Sequence, residues 1–115
     1  MGLDQYLYKG DEQVGYWRKA NQIHRWFVEN VQDGVDNCGE YTVTREKLDE
    51  LLTNVYYVLK KPEQAKDILP SQPGFFFGQY EYNDWYMQDI NGTKHILEEV
   101  LSDKSTDEWT YHSSW

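Results

Sequence analysis

The stretch Gly15-Tyr16-Trp17-Arg18-Lys19-Ala20-Asn21-Gln22-Ile23-His24-Arg25-Trp26-Phe27 gathers four aromatics, three cations, a histidine and an asparagine. Read at helical spacing, Tyr16, Ala20, Ile23, Phe27 and Val31 form one stripe that faces a core. Arg18, Gln22, Arg25 and Glu29 form an opposite, solvated row, with Arg25 and Glu29 spaced as an ion pair on a helix face. Between them run Trp17, Asn21, His24 and Val28, with Trp26 at the boundary. Flat rings supply contact area and a few polar groups supply orientation, so such a mixed row suits a ligand pocket or an interface hot spot. The stretch thus predicts a helix capped by Asp11, carrying Glu12 in its first turn, and ended near Gln32 by Asp33-Gly34.

Upstream, Leu3, Gln5 and Leu7 alternate with Asp4, Tyr6 and Tyr8, which predicts a strand closed by Lys9-Gly10. Downstream, Asn37 to Val43 reads as a loop with a short extended piece at Glu40-Tyr41-Thr42-Val43. Thr44 is an N-cap for a second helix, in which Leu48, Leu51, Leu52, Val55 and Leu59 recur at three- and four-residue steps. Lys60 and Lys61 lie in its last turn, and Pro62 stops it and starts a short helix through Ile68. Leu69 to Gly78 is irregular, and Phe75-Phe76-Phe77 within it reads as a buried strand or an aromatic plug. Asn83 or Asp84 caps a third long helix bearing Tyr86, Met87, Ile90, Leu97, Val100 and Leu101. Gly92 inside that helix costs about 1 kcal/mol relative to alanine. Glu108 to Trp115 alternates and predicts a last strand that pairs with the first. The expected fold is α+β, a single domain over residues 1–115. Its three main helices pack with a small antiparallel sheet formed by the two termini.

Composition narrows the function. Hydrophobic residues make up only 39% of the 115, while aromatics make up 17%, so the core rests on a few large side chains. The formal charge of −9 speaks against bulk binding to DNA, RNA or an anionic membrane, each of which needs a positive field. A local cation cluster holding one small anion, or an acidic surface meeting a basic protein, remains compatible with it. The single cysteine, Cys38, forms no internal disulfide, and the first residues lack the charged and apolar regions of a signal peptide. No apolar run is long enough to span a bilayer. A cytoplasmic setting is expected.

No catalytic constellation stands out. Cys38 has His24, His95 or His112 as candidate bases, but the residues are scattered and a buried inert thiol explains the cysteine more simply. There is no P-loop, dinucleotide fingerprint, Cys-x-x-Cys or His-x-x-x-His. The carboxylates of Asp33 to Glu40 lack calcium-loop spacing, and turn chemistry accounts for them. No metal site and no cofactor are expected. Three adjacent phenylalanines cannot all point inward from one strand, so at least one of them meets another layer, a ligand or a second copy. The candidate ligand-binding residues are Trp17 as a stacking platform, Asn21 and His24 as directional groups, Arg18 and Arg25 as anion contacts, and Phe76 in an aromatic wall. The same residues also suit core packing, with Asn21 and His24 bonded to a loop.

Several motifs together resemble a family of small uncharacterised proteins of phages, prophages and bacteria. They are Met1 to Tyr8, Val14 to Asn21, Ile23-His24, Trp26 to Gly34, Cys38 to Tyr41, Gly74 to Gly78 and the final Ser113-Ser114-Trp115. Members often carry a longer insert where this chain has only Lys9-Gly10-Asp11. The resemblance implies a phage origin and the host cytoplasm, and it assigns no catalytic residue. Two functions are therefore expected. The first is a non-enzymatic binding protein that captures a small anionic or nucleotide-like ligand, such as a sponge for a host defence signal, and is a homo-oligomer. The alternative is an acidic inhibitor or adaptor of a host protein.

Overall fold

At Gly10-Asp11 the chain reverses in a two-residue turn and returns as a strand instead of a helix. Gly10 has φ +60°, a conformation that costs glycine little and suits the first central position of a tight hairpin. In the computed structural model, which describes residues 2–72 and 81–115, strand β1 (Asp4–Lys9) pairs antiparallel with strand β2 (Glu12–Arg18). Tyr6 faces Tyr16 and Asp4 faces Arg18 across this pair. The register slips between Leu7 and Tyr8, so β2 accommodates an extra residue.

The first helix, α1 (Asn21–Asn30), begins nine residues later than a helix capped by Asp11 would. The corner between β2 and α1 is held in two ways. Lys19 takes φ +56° and its amide donates to the Leu3 carbonyl at 2.8 Å. The buried Gln5 side chain then clasps Ala20, donating from Nε2 to its carbonyl at 3.1 Å and accepting its amide on Oε1 at 3.0 Å. Because the left-handed region costs a residue with a Cβ energy, the tertiary clasp is what maintains the break.

Helix α1 ends before a turn in which Asp33 (φ +53°) and Gly34 (φ +81°) are both left-handed. Strand β3 (Glu40–Thr44) leads directly into α2 (Arg45–Lys60), whose Thr44 cap accepts the Lys47 amide at 3.2 Å. Pro62 opens a 3₁₀ turn (Pro62–Gln64) and then α3 (Ala65–Ile68). Helix α4 (Asp84–Ser102) starts under Asn83, whose Oδ1 accepts the amides of Trp85 and Tyr86, and runs unbroken past Gly92. Strand β4 (Glu108–Ser114) closes the sheet in the order β2-β1-β4-β3, antiparallel throughout.

The α+β class and the pairing of the two terminal strands are as expected. The described residues hold four α-helices, α3 being the short one expected after Pro62, and β2 and β3 join the termini in a sheet that was expected from the termini alone. The extended piece foreseen at Glu40–Val43 is the β3 edge.

Strand alternation gives the sheet two unlike faces. Leu7, Trp17, Val43, Trp109 and Tyr111 point into the core, where they join Ile23 and Phe27 of α1, Leu48, Leu51, Val55 and Val58 of α2, and Ile90 and Leu97 of α4. Phe27 stacks on Tyr111 with ring centroids 3.8 Å apart and an interplanar angle of 7°. Gly15 lets β2 approach α4: a Cβ there would stand 3.0 Å from Ile96 Cγ2 and 3.3 Å from Leu7 Cβ. Among the described residues, no helix is long and apolar enough to cross a membrane.

Candidate functional site

The other face of the sheet points away from this core. Register places its side chains in rows across the strands. One row reads Glu40, His112, Tyr6, Tyr16 from β3 to β2. A second reads Thr42, Thr110, Tyr8, Gln13. A third reads Ser114, Asp4, Arg18. Every one of these side chains is half-buried or exposed, whereas their neighbours Gln5, Leu7, Trp17, Tyr111 and Ser113 are buried. Tyr6 lies at the centre, near-parallel to Tyr8 (6.1 Å, 21°) and to His112 (6.0 Å, 21°), and tilted against Tyr16 at 5.4 Å.

One end of the face is electrostatically closed. The Tyr16 hydroxyl donates to Asp4 Oδ1 at 2.6 Å and Arg18 Nη1 approaches the same oxygen at 2.9 Å. The Tyr16 hydrogen bond, and after it the Arg18 charge, holds the Asp4 carboxyl below its usual range. At the other end, Tyr8, Gly10, Asp11, Glu40 and Thr110 line a shallow depression of about 160 Å³. The face is therefore aromatic in the middle, neutralised at one end and acidic at the other.

The residues singled out in the sequence do not meet around one cavity. Trp17 and Arg18 are consecutive on β2 and point to opposite faces. Trp17 is buried and donates from Nε1 to Thr93 Oγ1 at 2.8 Å. Asn21 is buried at the start of α1 and accepts the Gln72 amide at 3.0 Å. Arg25 bonds the Ser71 carbonyl at 2.9 Å and approaches Glu29 at 3.4 Å, the pair expected from their spacing. Phe76 lies outside the described residues. Two assignments made on helical spacing are corrected, Tyr16 because it lies on strand β2 and Gln22 because its face of α1 packs beside α4. Tyr16, read as core, is 42% exposed, and Gln22, read as solvated, is buried with Nε2 donating to the Tyr86 carbonyl.

His24 has the partners that the sequence did not reveal. Its Nδ1 lies 2.8 Å from the Tyr111 hydroxyl and its Nε2 lies 2.9 Å from Asp36 Oδ1. Burial lowers the His24 pKa, the Asp36 charge opposes that shift, and burial raises the Tyr111 pKa well above its usual value. Tyr111 thus keeps its proton and donates to Nδ1, while the neutral imidazole donates from Nε2 to Asp36. Trp115 Nε1 donates to the same carboxylate oxygen at 3.0 Å. This chain of bonds ties α1, the 33–39 turn and the end of β4 together. Cys38 sits half-buried in that turn with φ +58°. Among the described residues, no three His, Cys, Asp or Glu side chains cluster in a way that could hold a metal ion.

Tyr6, Tyr8, Tyr16 and His112 were not on the sequence-derived site, although a signal for most of them was present. The alternation at Leu3–Tyr8 and at Glu108–Trp115 already sorts Asp4, Tyr6, Tyr8, Thr110 and His112 to one side. Tyr16 and Arg18 join them only once β2 is recognised as a strand. Set against known protein families, functionally described proteins and solved structures, the chain has no match.

Proposed function

We propose that this chain is a non-enzymatic binding protein that engages a protein partner through the tyrosine-rich face of its sheet. The observation that carries this is the cross-strand row Glu40, His112, Tyr6, Tyr16, with Tyr8 beside it, on the face turned away from the core. Tyrosine supplies a large amphipathic contact at small entropic cost, and it is enriched at interface hot spots and in binding-protein paratopes. An open sheet face suits another protein better than a small molecule, which favours an enclosed concave pocket. The resemblance to phage and prophage proteins fits an acidic inhibitor or adaptor acting on a host protein in the host cytoplasm.

Capture of a nucleotide-like ligand has less support. Trp17, Asn21 and His24 are buried, and Arg18 is engaged by Asp4. Catalysis by His24 has little support either, since Tyr111 and Asp36 occupy both ring nitrogens. Self-association through Phe75–Phe77 rests on residues outside those described.

Affinity capture from host lysate with surface variants tests the proposal. Any protein held by the wild type is expected to be lost with Tyr6→Ser/Tyr16→Ser and kept with Tyr56→Ser/Tyr57→Ser, which alters exposed tyrosines of α2. Retention by the sheet-face variant, or capture of no protein at all, contradicts it.

A further inference from the structure

Resting on that reading of the sheet face, we infer that the face takes a basic, arginine-bearing segment of the partner, with guanidinium groups laid against Tyr6, Tyr8 and Tyr16. Charge complementarity argues for a cation. The chain carries −9 overall, Asp11 and Glu40 border the depression beside Tyr8, and the face's own Arg18 is neutralised by Asp4. A phosphate or other anion would meet acidic groups at one end and a cation already engaged at the other. A cationic segment meets favourable charge at the acidic end and loses nothing at the neutral one.

Ring geometry argues for arginine over lysine. The Tyr6 plane lies at 21° to that of Tyr8 and at 21° to that of His112, with Tyr16 tilted at 51°, so planar groups from one segment can follow the central rings with little reorientation. A guanidinium is planar, weakly hydrated and stacks on aromatic faces, while an ammonium is a compact, strongly hydrated point charge. At the acidic end, the same fork can bond a carboxylate through two N–H groups.

The test titrates the intact chain with three peptides of equal length that alternate serine with arginine, lysine or glutamate, read by NMR on the ring signals of Tyr6, Tyr8, Tyr16 and His112. The arginine peptide is expected to shift these signals, with an apparent Kd that weakens about tenfold between about 0.05 and 0.3 M salt. The lysine peptide should bind at least about threefold more weakly. Asp11→Asn/Glu40→Gln should weaken arginine-peptide binding several-fold, and Tyr6→Thr/Tyr16→Thr, which keeps strand-forming residues, should abolish it. If the glutamate peptide shifts the same rings and the arginine peptide does not, the face is an interaction surface but the inferred partner chemistry is overturned. If the arginine peptide shifts only other signals, such as those near Glu46 and Asp49 on α2, both the face and the partner are overturned. Equal affinity for lysine and arginine overturns the stacking argument, and absence of binding by all three peptides overturns the inference as a whole.

Discussion

Asp89 shows how a single half-buried polar contact writes itself into the stability of the molecule. It sits on α4 with Gln22 of α1 as its hydrogen-bond partner, and burial raises its carboxyl pKa to about 6. The folded state therefore binds the proton more tightly than the unfolded chain does. Its contribution is most favourable below the unfolded value near 3.8 and is lost as pH rises through about 6. Asp89→Asn keeps an acceptor for Gln22 and removes the half-buried charge. We expect it to raise stability at pH 7.5 by about 1–2 kcal/mol and to flatten the fall in stability between about pH 4 and pH 6, measured by urea denaturation across that range. His24 illustrates how far single residues were legible. Its identity flagged a site, but its partners lie 12 residues on, at Asp36, and 87 residues on, at Tyr111, separations that no local pattern reports. Gln5 is similar: its inward direction followed from alternation with Leu3 and Leu7, whereas its clasp on Ala20 depends on the corner that only the folded chain makes.

Among the elements, those with strong local punctuation were read correctly. Thr44 and Asn83 cap α2 and α4, Pro62 opens a new turn, and the last strand pairs with the first. The failure at β2 has a physical cause. Tyr16, Ala20, Ile23 and Phe27 keep helical spacing across the boundary, yet Tyr16 belongs to a strand, Ala20 to the corner, and Ile23 and Phe27 to α1. The competing signals were the Gly10-Asp11 hairpin and the Gly15/Trp17 against Tyr16/Arg18 alternation, which were the correct ones. At Gly15 this strand lies close against Ile96 of α4. Gly15→Val should force Ile96 and Leu7 aside and cost about 1–3 kcal/mol, read as a lowered denaturation midpoint. The same change at Gly92, where an added Cβ would meet nothing within 4 Å, should be far milder.

At the scale of the whole molecule, the helices and the sheet's inner face share one core, and the outer face is left with tyrosines, a histidine, threonines and a few charges. Composition was read as a core resting on a few large side chains, and Trp17, Trp26, Phe27, Tyr86, Trp109 and Tyr111 bear that out, but with 17% aromatics the chain also has rings to spare. It did not say where the surplus lies, since that depends on sheet order and register. The central claim is that the surplus is the binding surface. Site-specific photo-crosslinking in host cells tests it most directly, with p-benzoylphenylalanine in place of Tyr16 on the sheet face or of Tyr57, 56% exposed on α2. A discrete protein adduct is expected from position 16 and none from position 57. An adduct from position 57 alone, or from neither position, would contradict it.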